Sequence, residues 1–280
     1  MSVFTNQAQL SYNDQTTSSN VAVGELVSVL TATKTSLNTD YTHDDSITYV
    51  INLVNSGASP ILGINITDDL GAIVDQGVTT YPLQYRDKTL VYYIESMPQP
   101  TPTIASKEPL NITGLNLPGN SHATLIYEAL VTDEAPLETG SSITNTAEIS
   151  ANDITTFTTS LKLPVSTEPE LTITKTMEPV PVTRNGILTY TFLIQNYGNT
   201  EADATDRVSL TDTFDPLLSG INVTLDGKAF SAYTYNEQTG LFTTTPGSIT
   251  VPAASYMTDQ TSGVCSIAPG YTTLVVSGTV

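Results

Sequence analysis

The chain has 280 residues, and its 28 acidic side chains against nine Lys plus Arg give a formal net charge of -19. That length accommodates two ordinary domains with separate cores, while the charge repels phosphate backbones and argues against a nucleic-acid partner. No apolar run is long enough to cross a bilayer, so membrane insertion is not expected, and one cysteine rules out an internal disulfide framework and a cysteine-rich zinc site.

In chain order, the start MSVFTNQAQL has no basic region followed by an apolar stretch, so no secretory signal peptide is read there. Threonine is abundant, tryptophan is absent, and Gly and Pro recur at short intervals, which predicts many short strands and an all-β protein. The first segment, FTNQAQLSYNDQTT (Phe4 to Thr17), reads as a strand. It is followed by LTATKT (Leu30 to Thr35), ITYVINLVNSG (Ile47 to Gly57), INITDDL (Ile64 to Leu70) and LPGNSHATLIYEALV (Leu117 to Val131). Next comes ITNTAEISANDITT (Ile143 to Thr156), which nearly repeats the opening phrase.

The series then begins again. LTITKT (Leu171 to Thr176) and LTYTFLIQNYG (Leu188 to Gly198) answer the earlier segments, as do VSLTDTF (Val208 to Phe214) and IAPGYTTLVVSGTV (Ile267 to Val280). Repetition of this kind predicts tandem units of one architecture. The expected division is residues 1–25 as an N-terminal strand and linker, 26–165 as repeat one, and 166–280 as repeat two lacking its final strand.

Strand alternation sorts the side chains by face. Leu30, Ala32 and Lys34 share one face, matched by Leu171, Ile173 and Lys175. The next inward set is Ile64, Ile66, Asp68 and Leu70, matched by Val208, Leu210, Asp212 and Phe214. The last is Ile143, Asn145, Ala147 and Ile149, with Phe4, Asn6, Ala8 and Leu10 as its N-terminal copy. A Lys, an Asp and an Asn therefore each interrupt an apolar stripe, and an isolated buried charge costs several kcal/mol.

One chemistry explains the trio. Burial disfavours both charges and leaves a neutral amine beside a protonated carboxyl. The amine attacks the Asn side-chain carbonyl, the Asp polarises that carbonyl and shuttles protons, and ammonia leaves an amide joining first and last strands. On this reading Asp68 and Asp212 are the catalytic proton shuttles. Lys34 and Asn145 form an intrachain cross-link, and Lys175 and Asn6 an interchain one. The alternative is a hydrogen-bonded polar cluster whose lysine reaches toward water.

By these TKT, TYxxxxxN, TD and TNxA segments, the chain resembles the conserved repeat domain of bacterial surface proteins, long catalogued as domain of unknown function number eleven. The resemblance implies two immunoglobulin-like β-sandwiches in a cell-envelope or extracellular setting. Lys on the first strand and Asn on the last is also similar to collagen-adhesin and pilin domains of Gram-positive surface proteins. That second resemblance implies Lys–Asn isopeptide bonds assisted by Asp or Glu.

Repeat two has Lys175 and Asp212 but no Asn-bearing final strand, so it is expected to expose an apolar groove and an unpaired edge. The N-terminal strand carries the missing pattern. If residues 15–29 connect as residues 154–170 do, its acceptor lies before repeat one, and a second molecule meets that geometry without bending. Such a head-to-tail contact does not close and generates a filament. The expected function is a structural, non-enzymatic subunit of an extracellular, cell-surface or spore-surface fibre whose partner is itself. The alternative is a monomeric adhesin whose N-terminal strand closes its own repeat two.

Remaining features read as background. Cys265 is expected to be a buried thiol in a loop rather than a lateral disulfide. Asp44–Asp45 and Glu201, Asp203 and Asp206 lack calcium-loop spacing, so neither metal nor cofactor is expected. The sequons at Asn65, Asn111 and Asn222 read as chance, and His43 and His122 suggest no catalytic arrangement.

Overall fold

The computed structural model describes residues 2–26, 28–75, 77–152, 154–259, 262 and 264–280. The N-terminal segment forms four short strands, β1 (Ser2–Asn6), β2 (Gln9–Tyr12), β3 (Gln15–Ser18) and β4 (Ala22–Leu26). They pair with one another, β1 with β4 and β2 with β3, both antiparallel. The sequence predicts a single strand here, and the structure differs because Asn13 and Asp14 turn the chain. Both have positive φ, 45° and 60°, and they separate the paired residues Tyr12 and Gln15. A two-residue loop with two positive φ values is the turn whose twist matches a β-hairpin.

The first repeat supplies β5 (Leu30–Ser36), β6 (Ser46–Asn55), β7 (Ile61–Asp68), β8 (Ile73–Asp75), β9 (Val78–Thr80), β10 (Leu83–Tyr85) and β11 (Val91–Ile94). It continues with β12 (Met97–Gln99), β13 (Thr103–Lys107), β14 (Leu110–Leu117), β15 (Ser121–Val131), β16 (Ser142–Ala151) and β17 (Ile154–Pro164). Two antiparallel sheets result, ordered β12-β11-β15-β6-β5, with β10 beside β15, and β13-β14-β7-β16-β17. Alternation drives the packing. Ile47, Tyr49, Ile51 and Leu53 of β6 are fully buried, as are Ile64 and Ile66 of β7 and Ala147 and Ile149 of β16.

The second repeat supplies β18 (Leu171–Glu178), β19 (Ile187–Asn196), β20 (Thr211–Thr213), β21 (Ser219–Leu225), β22 (Lys228–Ala229) and β23 (Tyr233–Tyr235). It ends with β24 (Leu241–Thr244), β25 (Ser255–Thr258), β26 (Cys265–Ala268) and β27 (Gly270–Thr279). One sheet runs β18-β19-β27-β21-β22 and the other is three-stranded, β20-β24-β23. Leu188, Tyr190, Phe192, Phe214, Phe242, Leu274 and Val276 form its core. Cys265 is buried, and it begins a strand rather than lying in a loop, since β25 and β26 pair.

Both architectures are all-β sandwiches, and one device recurs in each. Asn55 and Asn196 end the matched strands β6 and β19 as buried amides. The Asn55 carbonyl accepts from Gly57 N and its amide donates to Ser59 O, and Asn196 does the same with Gly198 N and Thr200 O. That is why the repeat keeps Asn before its turn glycine. By compactness the chain divides into two units, the second holding residues 40–45 and 131–143 together with 163–280. Tyr41 accounts for part of this, because it bridges Val165 in parallel and its hydroxyl donates to Pro136 O at 2.5 Å. The only helix among the described residues is one turn, Ala204–Asp206, and no helix is long and apolar enough to cross a membrane.

Candidate functional site

In the first repeat Lys34 projects from the edge strand β5 of one sheet and Asp68 from β7 of the other. The Lys34 Nζ donates to Asp68 Oδ2, and both side chains are wholly shielded from solvent. The remaining Asp68 oxygen accepts from Leu70 N at 3.1 Å, and the Tyr127 hydroxyl donates to Oδ2. Lys34 Nζ also stands 5.0 Å from the centroid of the Tyr49 ring. Burial pushes the Lys34 amine below its ordinary value of 10.5, against the opposing attraction of Asp68.

Asn145 comes from β16, the strand that pairs with the one carrying Asp68. Antiparallel pairing sets Ala147 opposite Asp68, and backbone and side chain of Asp69 grip Thr146 (Asp69 N to Thr146 O 2.9 Å, Thr146 N to Asp69 Oδ1 2.8 Å). The intervening alternation turns Asn145 into the core, where it is fully buried and neither Oδ1 nor Nδ2 finds a hydrogen-bond partner. The Tyr127 hydroxyl lies beside this amide without reaching hydrogen-bond geometry. A buried primary amide without a hydrogen-bond partner costs roughly 1–3 kcal/mol, and the hydroxyl beside it is the one that donates to Asp68.

Tyr127 is the participant that strand patterning does not single out, because a tyrosine on an inward face reads as core. Burial and the Asp68 carboxylate push its hydroxyl well above the ordinary range, which keeps it a proton donor. The pairing of Tyr127 with Tyr49, and of Tyr190 with Val276, identifies Val276 as its counterpart. The second repeat therefore lacks this hydroxyl.

There the Lys175 Nζ again donates to Asp212 Oδ2 across the two sheets, but 40% of the Lys175 side chain and 20% of that of Asp212 stay exposed. Lys175 sits among three rings, 4.6 Å from the centroid of Tyr190, 5.5 Å from Phe192 and 5.7 Å from Phe214. Every residue of β18 is exposed, Leu171, Ile173 and Met177 included. Among the described residues, no strand pairs with the edge of β20 opposite β24, the edge that β7 offers to β16 in the first repeat. Asn6, the remaining candidate, is exposed on the N-terminal hairpin.

Two other polar groups have structural accounts. Asp203 caps the helical turn by accepting from Thr205 N at 2.7 Å, and Asp206 returns the bond to Asp203 N. His43 lies between two carboxylates, Nδ1 3.2 Å from Asp44 and Nε2 3.0 Å from Asp133.

No protein-family model and no curated protein matches the chain, so the resemblance to the conserved repeat domain rests on its motifs. Among solved structures it is similar to BcpA, the major pilin subunit of Bacillus cereus (12% identity, TM-score 0.38, covering 95% of this chain and 73% of that one). It is also similar to the pilus backbone RrgB of Streptococcus pneumoniae (11%, TM-score 0.36, covering 86% and 55%). A third is the collagen-binding domain of a Staphylococcus aureus adhesin (13%, TM-score 0.32, covering 48% and 96%). Likenesses of this strength carry no argument about what the chain does.

Proposed function

We propose that the protein is a structural subunit of an extracellular, cell-surface or spore-surface fibre, joined head to tail by donation of its N-terminal segment to the second repeat of the next copy. The observation that carries this reading is one Lys–Asp pair found in two states. Lys34–Asp68 is wholly shielded and β16 pairs with the Asp68 strand, whereas Lys175–Asp212 is partly open and, among the described residues, no strand pairs with β20 on the matching side. The N-terminal segment is the second copy of β16, with Asn6 where β16 has Asn145.

In the closed site the amine gives its proton to Asp68, and the Lys34 Nζ lone pair attacks Asn145 Cγ. Asp68 then passes that proton to Nδ2, which leaves as ammonia, and takes a second proton from Nζ, so that a neutral Lys34–Asn145 amide remains beside a protonated Asp68. Lys175, Asp212 and Asn6 repeat the steps between copies. Burial of Leu171, Ile173, Met177, Phe4 and Leu10 contributes about 1.5–3 kcal/mol each. Association costs about 4–15 kcal/mol, so apolar contact alone leaves a reversible fibre and the covalent bond makes it permanent.

The test is a denaturing gel of boiled protein with intact-mass measurement. A ladder of covalent multimers, each lighter by one ammonia per amide, supports the reading. A single band at the unreacted monomer mass overturns the covalent part, and monomers under native conditions overturn the fibre.

A further inference from the structure

We propose that the donated element is a preformed two-stranded ribbon, residues 2–26, rather than a single strand, an inference that rests on the donation reading above. The occupant is the hairpin of a second copy, and it adds both of its strands to the free edge of β20.

The strand count points to this. Among the described residues, the sheet of the first repeat that contains Asp68 has five strands, β13-β14-β7-β16-β17, and its counterpart in the second repeat has three, β23-β24-β20. The deficit is two strands, the counterparts of β16 and β17. Of those two, β16 ends at Ala151 and β17 begins at Ile154, two positions on in the sequence. The N-terminal segment supplies two paired arms closed by Asn13–Asp14, the residues that align in sequence with positions 152 and 153.

The hairpin is also built as a donor. Its two pairings join into one ribbon through Ser19, whose N donates to Ala8 O at 2.8 Å while its Oγ accepts from Ala8 N at 2.9 Å. The Phe4 ring lies over its cross-strand partner Gly24, so closely that a Cβ there would sit 2.4 Å from the ring. Phe4 and Leu10, counterparts of the buried Ile143 and Ile149, are 56% and 64% exposed. An isolated hairpin is marginal in water and gains stability from a sheet it joins. Carrying over the β16–β7 register sets Ala8 opposite Asp212 and Leu10 opposite Leu210 in the neighbour. Asn6 then projects toward Lys175.

Thr5 and Val23 pair directly and lie on the face opposite Phe4 and Asn6, so they mark a place to lock the ribbon without touching its docking face. In a Cys265→Ser background, Thr5→Cys with Val23→Cys is oxidised before assembly and compared with its reduced form by sedimentation and electron microscopy. The ribbon predicts equal polymer yield within twofold, with the disulfide intact in the polymer. Locked protein that stays monomeric while the reduced form assembles overturns it. Hydrogen exchange on the wild-type polymer provides a variant-free check: protection of residues 15–26 together with 2–12 supports the ribbon, and protection confined to 2–12 overturns it. Polymer that survives deletion of residues 2–26 overturns donation itself, and the ribbon with it.

Discussion

Lys175 holds Asp212 across two sheets as Lys34 holds Asp68, yet two-fifths of the Lys175 side chain faces solvent while Lys34 has none exposed. In the first repeat β16 pairs with the strand that carries Asp68, and among the described residues nothing pairs with β20 on the matching side.

If the open pair is completed by Asn6 of another copy, assembly and cross-linking are separable. Lys175→Ala removes the nucleophile but leaves the apolar groove. Fibres should still form by electron microscopy, and boiling in detergent should return them wholly to monomer. Asn6→Ala should behave the same way, because it removes the amide carbon from the other side.

Within one copy, Lys34 and Asn145 predict a wild-type mass one ammonia below that of the encoded chain. Asp68→Ala and Asn145→Ala should each restore the full mass for their remaining residues. Such a bond would close a loop of roughly 100 residues, for which chain entropy gives about 4–5 kcal/mol. Asn145→Ala should therefore lower the urea midpoint sharply. An unchanged midpoint would mean that no cross-link was lost.

The inward stripes Leu30–Ala32–Lys34, Ile64–Ile66–Asp68 and Ile143–Asn145–Ala147 are legible in the sequence because a strand has a side-chain period of two, and one polar residue in such a stripe stands out. Tyr127 is not legible, since its ring packs as core residues do and only coordinates reveal the hydroxyl on Asp68. The N-terminal hairpin is half legible. The Asn-Asp pair between alternating segments is a turn signal, but its meaning depends on which segments then pair, a tertiary matter. The three-strand sheet of the second repeat follows from pairing too, and the Asp212 strand shrinks to Thr211–Thr213.

The lowered Lys34 amine has a consequence for pH. In Asn145→Ala the amine cannot react and stays titratable. Its folded-state value lies below the ordinary 10.5 because burial disfavours the ammonium. Between those two values this amine binds more protons in the unfolded chain than in the folded one, so its contribution to stability rises with pH across that window and is complete above 10.5. Urea unfolding of Asn145→Ala should show this rise, and Lys34→Met with Asn145→Ala should lack it. Equal slopes in the two variants would remove the argument for a desolvated amine.

Tyr127→Phe tests whether the hydroxyl matters to the chemistry or only to packing. The ring keeps its stacking against Tyr49, whose centroid is 5.6 Å away, and one hydrogen bond to Asp68 is lost. A bond to a charged group is worth about 1.5–3 kcal/mol, so the fold should survive. On the proposed chemistry the hydroxyl would steady Asp68 between its proton transfers, and its loss should slow amide formation about tenfold or more, read as the fraction of freshly made protein that has shed ammonia over time. The second repeat offers an internal comparison, because Val276 stands where Tyr127 does. Interchain bonds should therefore form more slowly than intrachain ones in wild-type protein, and Val276→Tyr should narrow the gap. If Tyr127→Phe closes its intrachain bond at the wild-type rate, the hydroxyl has no part in positioning Asp68.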